Sequence, residues 1–303
     1  MPKSPLHGSR SHRLSRMVTA IGLAAGLAVT GALTAPQADA APAVPAAPAA
    51  APAAIPDAEM PYVTGPHPYS VTTVADWRTP IEFGAVDFFN PTDIEGRLPT
   101  VVVMPGLTGS RNTVRYVAED LASHGFGVML MDSFSTADAD LVRTNAMRRA
   151  LGWMVNSSSA RARIDADRIG VWGFSYGATA ALNNSFTVRS PNVRAAVAVF
   201  PLSTLSIYPL VTDPTLVLGG ENDVVAPPAL HARIAYNVAR GPKAYGQLDR
   251  AQHLDPTGDD GAVSSLTVSW FKVHLGVNDE YRQFLCPAPT DSYIENWETS
   301  GLC

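Results

Sequence analysis

The stretch from residue 168 to residue 182 constrains the possible folds of this chain more than any other stretch. Its apolar, partly β-branched run at 169–172 predicts a buried strand, and the small, helix-forming residues after Ala178 predict a helix. Between them lies G-x-S-x-G, in which Gly173 and Gly177 flank Ser175. Glycines at such a turn let neighbouring elements pass close to a strained serine. We therefore expect a strand–turn–helix that pushes an exposed serine oxygen out of the sheet, although the pattern also arises by chance in chains rich in alanine and glycine.

Strand-like and helix-like segments alternate along the chain, which predicts an α/β fold with a mostly parallel, twisted sheet and helices on both faces. Alternating apolar residues predict two early antiparallel strands at 70–76 and 80–89. Short apolar runs predict further strands at 100–104, 127–131, 193–200, 215–218 and 244–248. Apolar stripes predict helices at 112–124, 139–156, 228–238 and 264–274. The sequence has no internal repeat, so we expect one folded domain over 59–303.

A nucleophilic serine needs a histidine as general base and an acid that orients the histidine. In folds built around G-x-S-x-G these groups follow in the order serine, acid, histidine. Asp223 lies just after the predicted strand at 215–218, with Glu221 as the rival acid, and either could be only a solvated loop residue. His253 lies after the last predicted strand, whereas the other histidines precede the serine or lie in helices. The predicted catalytic set is Ser175, Asp223 and His253.

Two backbone amides should stabilise the negative charge that develops on the carbonyl oxygen during ester cleavage. One is the amide of Tyr176, which follows the serine, and the other is the amide of Leu107, in the loop after the strand at 100–104. In the alternative interpretation, Gly106 and Gly109 merely shape a turn.

The N-terminus resembles a secretory signal peptide over 1–40. The basic residues Lys3, Arg10, Arg13 and Arg16 precede the apolar segment 17–35, and small residues follow at 38 and 40. An uncleaved membrane anchor is the alternative, but the Gly, Ala and Thr content makes the segment a weak anchor. We expect a secreted, extracellular protein without stable membrane insertion after cleavage. The Ala- and Pro-rich region 41–58 should be a linker.

Charge excludes some partners. Removing 1–40 takes away four basic residues and one acidic residue, leaving 18 basic and 26 acidic residues. A net charge of −8 disfavours nucleic acid and anionic membrane surfaces as partners.

The two cysteines, Cys286 and Cys303, should form a disulfide in an oxidising compartment, with two free thiols as the alternative.

The chain resembles the bacterial polyester hydrolases, which comprise actinobacterial cutinases, related triacylglycerol lipases and PET hydrolases. The matching segments lie between residue 65 and the end: Met104-Pro105-Gly106-Leu107-Thr108-Gly109, Ala122-Ser123-His124-Gly125-Phe126, Gly173-Phe174-Ser175-Tyr176-Gly177, Glu221-Asn222-Asp223-Val224-Val225-Ala226-Pro227 and Gln283-Phe284-Leu285-Cys286-Pro287. The resemblance implies an α/β-hydrolase fold, the triad Ser175–Asp223–His253, oxyanion amides at Leu107 and Tyr176, and a C-terminal disulfide to Cys303. It also allows a bound calcium, for which the sequence assigns no ligands.

Four positions depart from the family pattern near the expected substrate, one of them Phe174, where the family usually has His or Trp. Leu107 and Leu202 stand where the family usually carries a clamping aromatic pair, and Tyr176 replaces the usual Met. Ring stacking contributes about 0.5–1.5 kcal/mol per pair, so a leucine-lined site should favour acyl chains and aliphatic polyesters.

The sequence thus predicts a secreted, monomeric serine esterase that acts on acyl lipid or polyester through an acyl-enzyme and needs no cofactor. An envelope acyltransferase and a non-catalytic binding protein on a hydrolase scaffold are the alternatives.

Overall fold

The structure is a computed structural model that describes residues 55–56, 60–187, 191–205, 208–258, 260–289 and 293–303. The predicted signal peptide at 1–40 and most of the predicted linker lie outside these residues. Ile55, which the sequence interpretation assigned to the linker, is buried in the core.

One twisted sheet forms the centre of the described part of the chain. Its strands are β1 (Tyr69–Val74), β2 (Phe83–Pro91), β3 (Leu98–Met104), β4 (Gly127–Ser133), β5 (Ile164–Phe174), β6 (Val193–Val199), β7 (Thr215–Gly220), β8 (Lys243–Leu248) and β9 (Ile294–Ser300). The order across the sheet is β1-β2-β4-β3-β5-β6-β7-β8-β9. Strands β3 to β8 run parallel to one another, whereas β1, β2 and β9 make antiparallel pairs at the two edges. The carboxyl ends of the six parallel strands therefore meet along one edge, where sites form in such sheets.

The α-helices cover both faces of this sheet. They are α1 (Arg115–Ser123), α2 (Asp140–Asn156), α3 (Tyr176–Thr187), α4 (Ala232–Val238) and α5 (Gly261–His274). Alternation along β3 shows why its apolar run is continuous: Val101 and Val103 pack into one core cluster, and Val102 and Met104 pack into the cluster on the other face. In the described residues, no helix is long and apolar enough to cross a membrane. The predicted α/β-hydrolase fold is confirmed.

Several boundaries differ from the sequence-based prediction. The helix expected over 112–124 is divided into a 3₁₀ turn at Arg111–Val114 and α1, and α4 begins at Ala232 instead of residue 228. Strand β5 begins five residues before the predicted start at 169. Strand β9 was not predicted, because its sequence, Ile-Glu-Asn-Trp-Glu-Thr-Ser, is mostly polar. An edge strand has a neighbouring strand on one side only and exposes many of its side chains to solvent, so it needs no apolar pattern.

Candidate active site

The turn between β5 and α3 has the backbone of a nucleophile elbow. Ser175 lies in the left-handed region with φ +56°. A Cβ on Gly173 would come within 2.0 Å of the Gly177 carbonyl oxygen, and a Cβ on Gly177 would come within 2.4 Å of the Met104 carbonyl oxygen. Both glycines are therefore required by close backbone approach, which is the physical basis of the G-x-S-x-G spacing.

Ser175 is held by backbone hydrogen bonds on both sides. Its amide donates to the Val199 carbonyl over 3.0 Å, and its carbonyl accepts from the Ala178 amide over 3.0 Å. The expectation that the serine side chain is exposed is wrong, because Ser175 is only 2% exposed. The loops after β3, β6 and β8 converge on the elbow and exclude most water from it.

The three residues predicted to form the triad lie together. The Nε2 atom of His253 is 3.0 Å from Ser175 Oγ, and its Nδ1 atom is 2.7 Å from Asp223 Oδ2. All three residues are buried, and each follows the carboxyl end of its own strand, β5, β7 or β8. This arrangement can pass a proton from a hydroxyl to an imidazole whose orientation a carboxylate fixes.

The structure also separates Asp223 from its rival. The second carboxylate oxygen of Asp223 accepts from the amides of Val225 and Ala226 over 2.9 and 2.7 Å, which fixes the side chain toward His253. Glu221 instead accepts from the backbone amide of Arg250 over 2.9 Å and is exposed. It therefore braces the loop that carries His253 without contacting the imidazole.

Two aromatic rings pack around His253: Phe174, which belongs to the G-x-S-x-G segment, and Phe200, which the sequence analysis did not connect with the site. The ring centroids of Phe174 and Phe200 lie 5.2 and 6.4 Å from the imidazole. Phe200 adopts φ +48° at the end of β6, and a Cβ on Gly220 would come within 2.6 Å of its ring. The rings surround the histidine with a low-dielectric wall, in which its hydrogen bonds are stronger than in water.

Two other histidines of the described core, His231 and His124, are held by contacts away from Ser175. His231 Nδ1 lies 2.9 Å from the Tyr208 hydroxyl, and burial lowers the pKa of His231 although the Asp223 charge opposes the effect. His124 contacts the carbonyls of Asp120 and Met60, and desolvation lowers its pKa. Both are thus favoured in the neutral form as structural groups.

The loop that carries Leu107 lies against the elbow. A Cβ on Gly106 would come within 2.7 Å of the Ser175 Cβ, so the loop and the serine are in close contact. Within the described residues, the amide of Leu107 has no backbone acceptor. Tyr176 is the first residue of α3, where a helix leaves its amides without intrahelical partners. Both amides are available to an oxyanion beside Ser175.

A buried arginine holds this loop, and sequence reasoning did not identify it. Arg143 of α2 is 0% exposed and donates to the carbonyls of Pro105, Thr136 and Asp138 over 3.2, 2.9 and 2.8 Å. The Thr136 carbonyl also accepts from the Thr108 amide over 2.8 Å. The guanidinium thus joins the chain on either side of Leu107 to α2. The sequence did not indicate that Arg143 is buried, because an Arg in an amphipathic helix is usually exposed.

The predicted substrate contacts border this site. Leu107 is 41% exposed, and Tyr176 and Leu202 are half-buried. Leu202 lies in the loop after β6, and its amide donates to the Ser175 carbonyl over 3.2 Å. The apolar side chains of this wall are therefore within reach of a bound ester.

Three carboxylates meet at a different place, beside the ends of β7, β8 and β9. Oxygens of Glu221, Asp249 and Glu295 lie within 4.8 Å of one another. Desolvation and the charges of Glu221 and Asp249 raise the pKa of Glu295. Carboxylate oxygens are ligands that calcium prefers, so this donor set fits the ion that the family resemblance allows. A cation held there would offset the repulsion and join three strand ends without entering the chemistry at Ser175.

The predicted disulfide is confirmed. Cys286 and Cys303 are bonded, with their Cα atoms 5.7 Å apart. The same tail is also held by the Trp297 indole, which donates to the Leu285 carbonyl over 3.1 Å, and by Arg282, which donates to the Leu302 carbonyl over 3.0 Å. These contacts keep β9 against β8.

The sheet order and the elbow define an α/β hydrolase. The family model described as "PETase: PET hydrolase-like" matches residues 39–303, and the chain belongs to this family. Among its relatives, a bis(hydroxyethyl) terephthalate hydrolase of Streptomyces coelicolor is 31% identical over 290 residues, which cover 95% of this chain and 90% of the relative. Cutinase 1 of Thermobifida cellulosilytica is 34% identical over 213 residues, covering 69% of this chain and 80% of the relative. Cutinase cut1 of Thermobifida fusca is 34% identical over 255 residues, covering 79% of each.

The resemblance stated from the sequence is confirmed by these comparisons. The predicted enzyme class is confirmed as well: the protein is a carboxylic ester hydrolase.

Proposed function

We propose that this protein is a secreted serine esterase that cleaves aliphatic polyesters and acyl esters, with Ser175, His253 and Asp223 as its triad. The observation that carries the proposal is the unbroken chain of contacts from Ser175 Oγ through both nitrogens of His253 to Asp223, at 3.0 and 2.7 Å. Relatives named cutinase and bis(hydroxyethyl) terephthalate hydrolase support an ester substrate.

The first half of the reaction forms an acyl-enzyme. Ser175 Oγ attacks the ester carbonyl while His253 Nε2 takes its proton, and the Asp223 carboxylate stabilises the imidazolium. The carbonyl oxygen becomes an oxyanion that accepts hydrogen bonds from the amides of Leu107 and Tyr176. When the tetrahedral intermediate collapses, His253 gives the proton to the leaving alcohol, and the acyl group stays on Ser175.

The second half releases the acid. His253 takes a proton from a water molecule, whose oxygen attacks the acyl carbonyl, and then returns the proton to Ser175. The buried rings of Phe174 and Phe200 keep bulk water from competing for the imidazole. Product analysis with an alcohol present distinguishes this hydrolysis from acyl transfer, which would give a new ester instead of the acid.

Secretion is part of the proposal. The N-terminal pattern over 1–40 and the disulfide support export, because such bonds persist in oxidising compartments. Sequencing the N-terminus of protein recovered from the culture medium tests it, with a first residue near Ala41 as the expected result.

The triad assignment is tested by substitution. Ser175→Ala should lower turnover of p-nitrophenyl butyrate by at least about 10⁴-fold and abolish labelling by a fluorophosphonate probe. Asp223→Asn should lower kcat by about 10³–10⁴-fold, since the amide cannot stabilise the imidazolium.

Glu221→Gln is the matched control for Asp223→Asn and should stay within a few-fold of wild type, because Glu221 hydrogen-bonds to the Arg250 amide and not to the His253 imidazole. Near-normal turnover by Ser175→Ala, or a loss in Glu221→Gln as large as in Asp223→Asn, would refute the assignment.

A further inference from the structure

Three large apolar side chains stand exposed around one surface groove. Trp77, Ile81 and Phe134 are 81%, 82% and 66% exposed, and all three line a groove of about 630 Å³. We call this surface the Trp77 groove. Large apolar side chains that cluster in this way on a soluble protein mark an interaction surface more often than scattered ones do.

The Trp77 groove lies at the same edge of the sheet as the candidate active site. Phe134 follows the carboxyl end of β4, and Ser133 pairs with Phe83 at the start of β2, so Trp77 and Ile81 lie at the same edge of the sheet as Ser175. Strands β2 and β5 are separated by β4 and β3. At about 4.8 Å per strand, the groove begins roughly 10–15 Å from the serine.

The wall between the two sites is the loop that supplies the Leu107 amide. Ser110 and Thr136 line the groove, and the Thr136 carbonyl accepts from the amide of Thr108, the residue after Leu107. With Leu107 itself 41% exposed, apolar surface is available on both sides of this wall.

Acidic side chains outnumber the basic one at the groove floor, where Asp76, Asp132 and the buried Asp87 lie around Arg111. Arg111 is the floor's cation, and it donates to Asp132 and to the buried carboxylate of Asp87. Asp76 accepts from the Trp77 amide over 2.8 Å. A neutral occupant therefore fits the groove better than an anionic lipid surface, which the net charge of −8 over residues 41–303 also disfavours.

We propose that the Trp77 groove binds a neutral aliphatic polyester chain at a segment away from the ester that reacts at Ser175. The inference rests on the proposed function and identifies the polymer as the substrate whose binding the groove strengthens. A polymer long enough to pass the Leu107 loop buries apolar surface on Trp77, Ile81 and Phe134, whereas a short acyl ester occupies only the cleft. The groove thus concentrates the enzyme on the solid polymer.

Adsorption without catalysis tests the proposal. Two proteins are mixed with polycaprolactone film: the Ser175→Ala variant, and the same variant with Trp77→Gln and Phe134→Gln added. The concentration of protein left in solution is measured for each. We expect the pair to lower the film partition coefficient about tenfold. Tyr62→Gln with Leu141→Gln is the control pair, since both side chains are 64% exposed and lie outside the groove. This pair should change adsorption less than twofold.

The groove pair and the control pair of substitutions, made in the active protein that retains Ser175, provide a second measurement. The ratio of film hydrolysis to p-nitrophenyl butyrate hydrolysis should fall about tenfold in the groove pair and stay unchanged in the control pair. Ile81→Gln alone, at the rim, should lower adsorption in the same direction. Melting curves monitor folding of every variant.

Equal adsorption by the groove and control pairs would overturn the proposal. So would loss of binding to anionic phospholipid vesicles without loss of binding to film, which would assign the groove to a lipid surface. If the wild-type protein hydrolyses no ester but its adsorption still depends on the groove residues, the proposed function is refuted and the proposal about the groove stands.

Discussion

The backbone of Leu202 is hydrogen-bonded directly to the nucleophile, because its amide donates to the Ser175 carbonyl over 3.2 Å. Its own carbonyl accepts from the Thr179 hydroxyl of α3 over 2.6 Å. The loop is thus fixed to the elbow and to the helix behind it, and the side chain at position 202 is free to define the substrate wall.

This relationship makes Leu202→Trp a test of substrate preference. The fixed backbone should accept the ring without moving the serine, and the indole can stack on an aromatic ester. A stacked pair contributes about 0.5–1.5 kcal/mol, so we expect turnover of aromatic polyester to rise about 2- to 10-fold relative to p-nitrophenyl butyrate. The wild type should cleave tributyrin and aliphatic polyester faster than aromatic polyester.

Val71→Trp, on the edge strand β1, is the control for a ring added far from the cleft. If the wild type degrades aromatic and aliphatic films equally and Leu202→Trp changes both substrates alike, the side chain at 202 does not select the substrate.

Arg143→Lys should impair the oxyanion loop. An ammonium cannot reproduce the planar fork that reaches the carbonyls of Pro105, Thr136 and Asp138. We expect kcat for p-nitrophenyl butyrate to fall about tenfold with little change in KM, because the loop supplies an amide that binds the transition state. The unfolding free energy should also fall by about 2–3 kcal/mol, since buried carbonyls lose their donor.

Arg148→Lys is the matched control, because Arg148 lies on the same helix and is exposed. An equal loss in both variants would indicate a general effect on α2. A rise in KM with constant kcat would place Arg143 in substrate binding instead.

Removal of the disulfide should destabilise the protein but spare the chemistry. The bond joins cysteines 17 residues apart, and a loop of that size contributes about 3 kcal/mol. Cys286→Ser with Cys303→Ser should therefore lower Tm by about 6–12 °C. Turnover at 20 °C should stay within about twofold of wild type, because β9 remains paired with β8 through its backbone. Loss of turnover below the melting transition would show that the tail supports the site directly.

His274 should make the protein sensitive to acid. Desolvation, with the charge of Arg282, lowers its pKa to about 4, and its Nε2 atom is buried without a hydrogen-bond partner among the described residues. The unfolded chain binds the proton near pH 6.5 and the folded chain only near pH 4. Folding stability is thus complete above pH 6.5 and falls as the pH drops from 6.5 toward 4.

His274→Phe removes this titration and keeps a ring against Trp270, whose centroid lies 4.2 Å from the imidazole. Between pH 7 and pH 5 the variant should lose about 2 kcal/mol less unfolding free energy than wild type. Urea unfolding at both pH values measures the difference. An identical acid sensitivity in the two proteins would assign the effect to other groups.

Local sequence determined the elements whose cause is local. The two glycines around Ser175 indicate a turn whose backbone atoms are crowded. An apolar run such as 100–104 indicates a strand that is covered on both faces. These signals were sufficient for the α/β-hydrolase fold, the elbow and the loops that carry Asp223 and His253. Two cysteines in a chain with an export pattern were sufficient for the disulfide.

Tertiary structure decided what depends on residues distant in the sequence. Asp223 and Glu221 are two positions apart in one loop, and only the fold turns Asp223 toward His253 and Glu221 toward the Arg250 amide. Likewise, Arg143 looks like a surface residue until α2 packs against the Leu107 loop. The polar strand β9 forms because β8 offers an open edge for its backbone, and backbone hydrogen bonds leave no mark in the side-chain pattern.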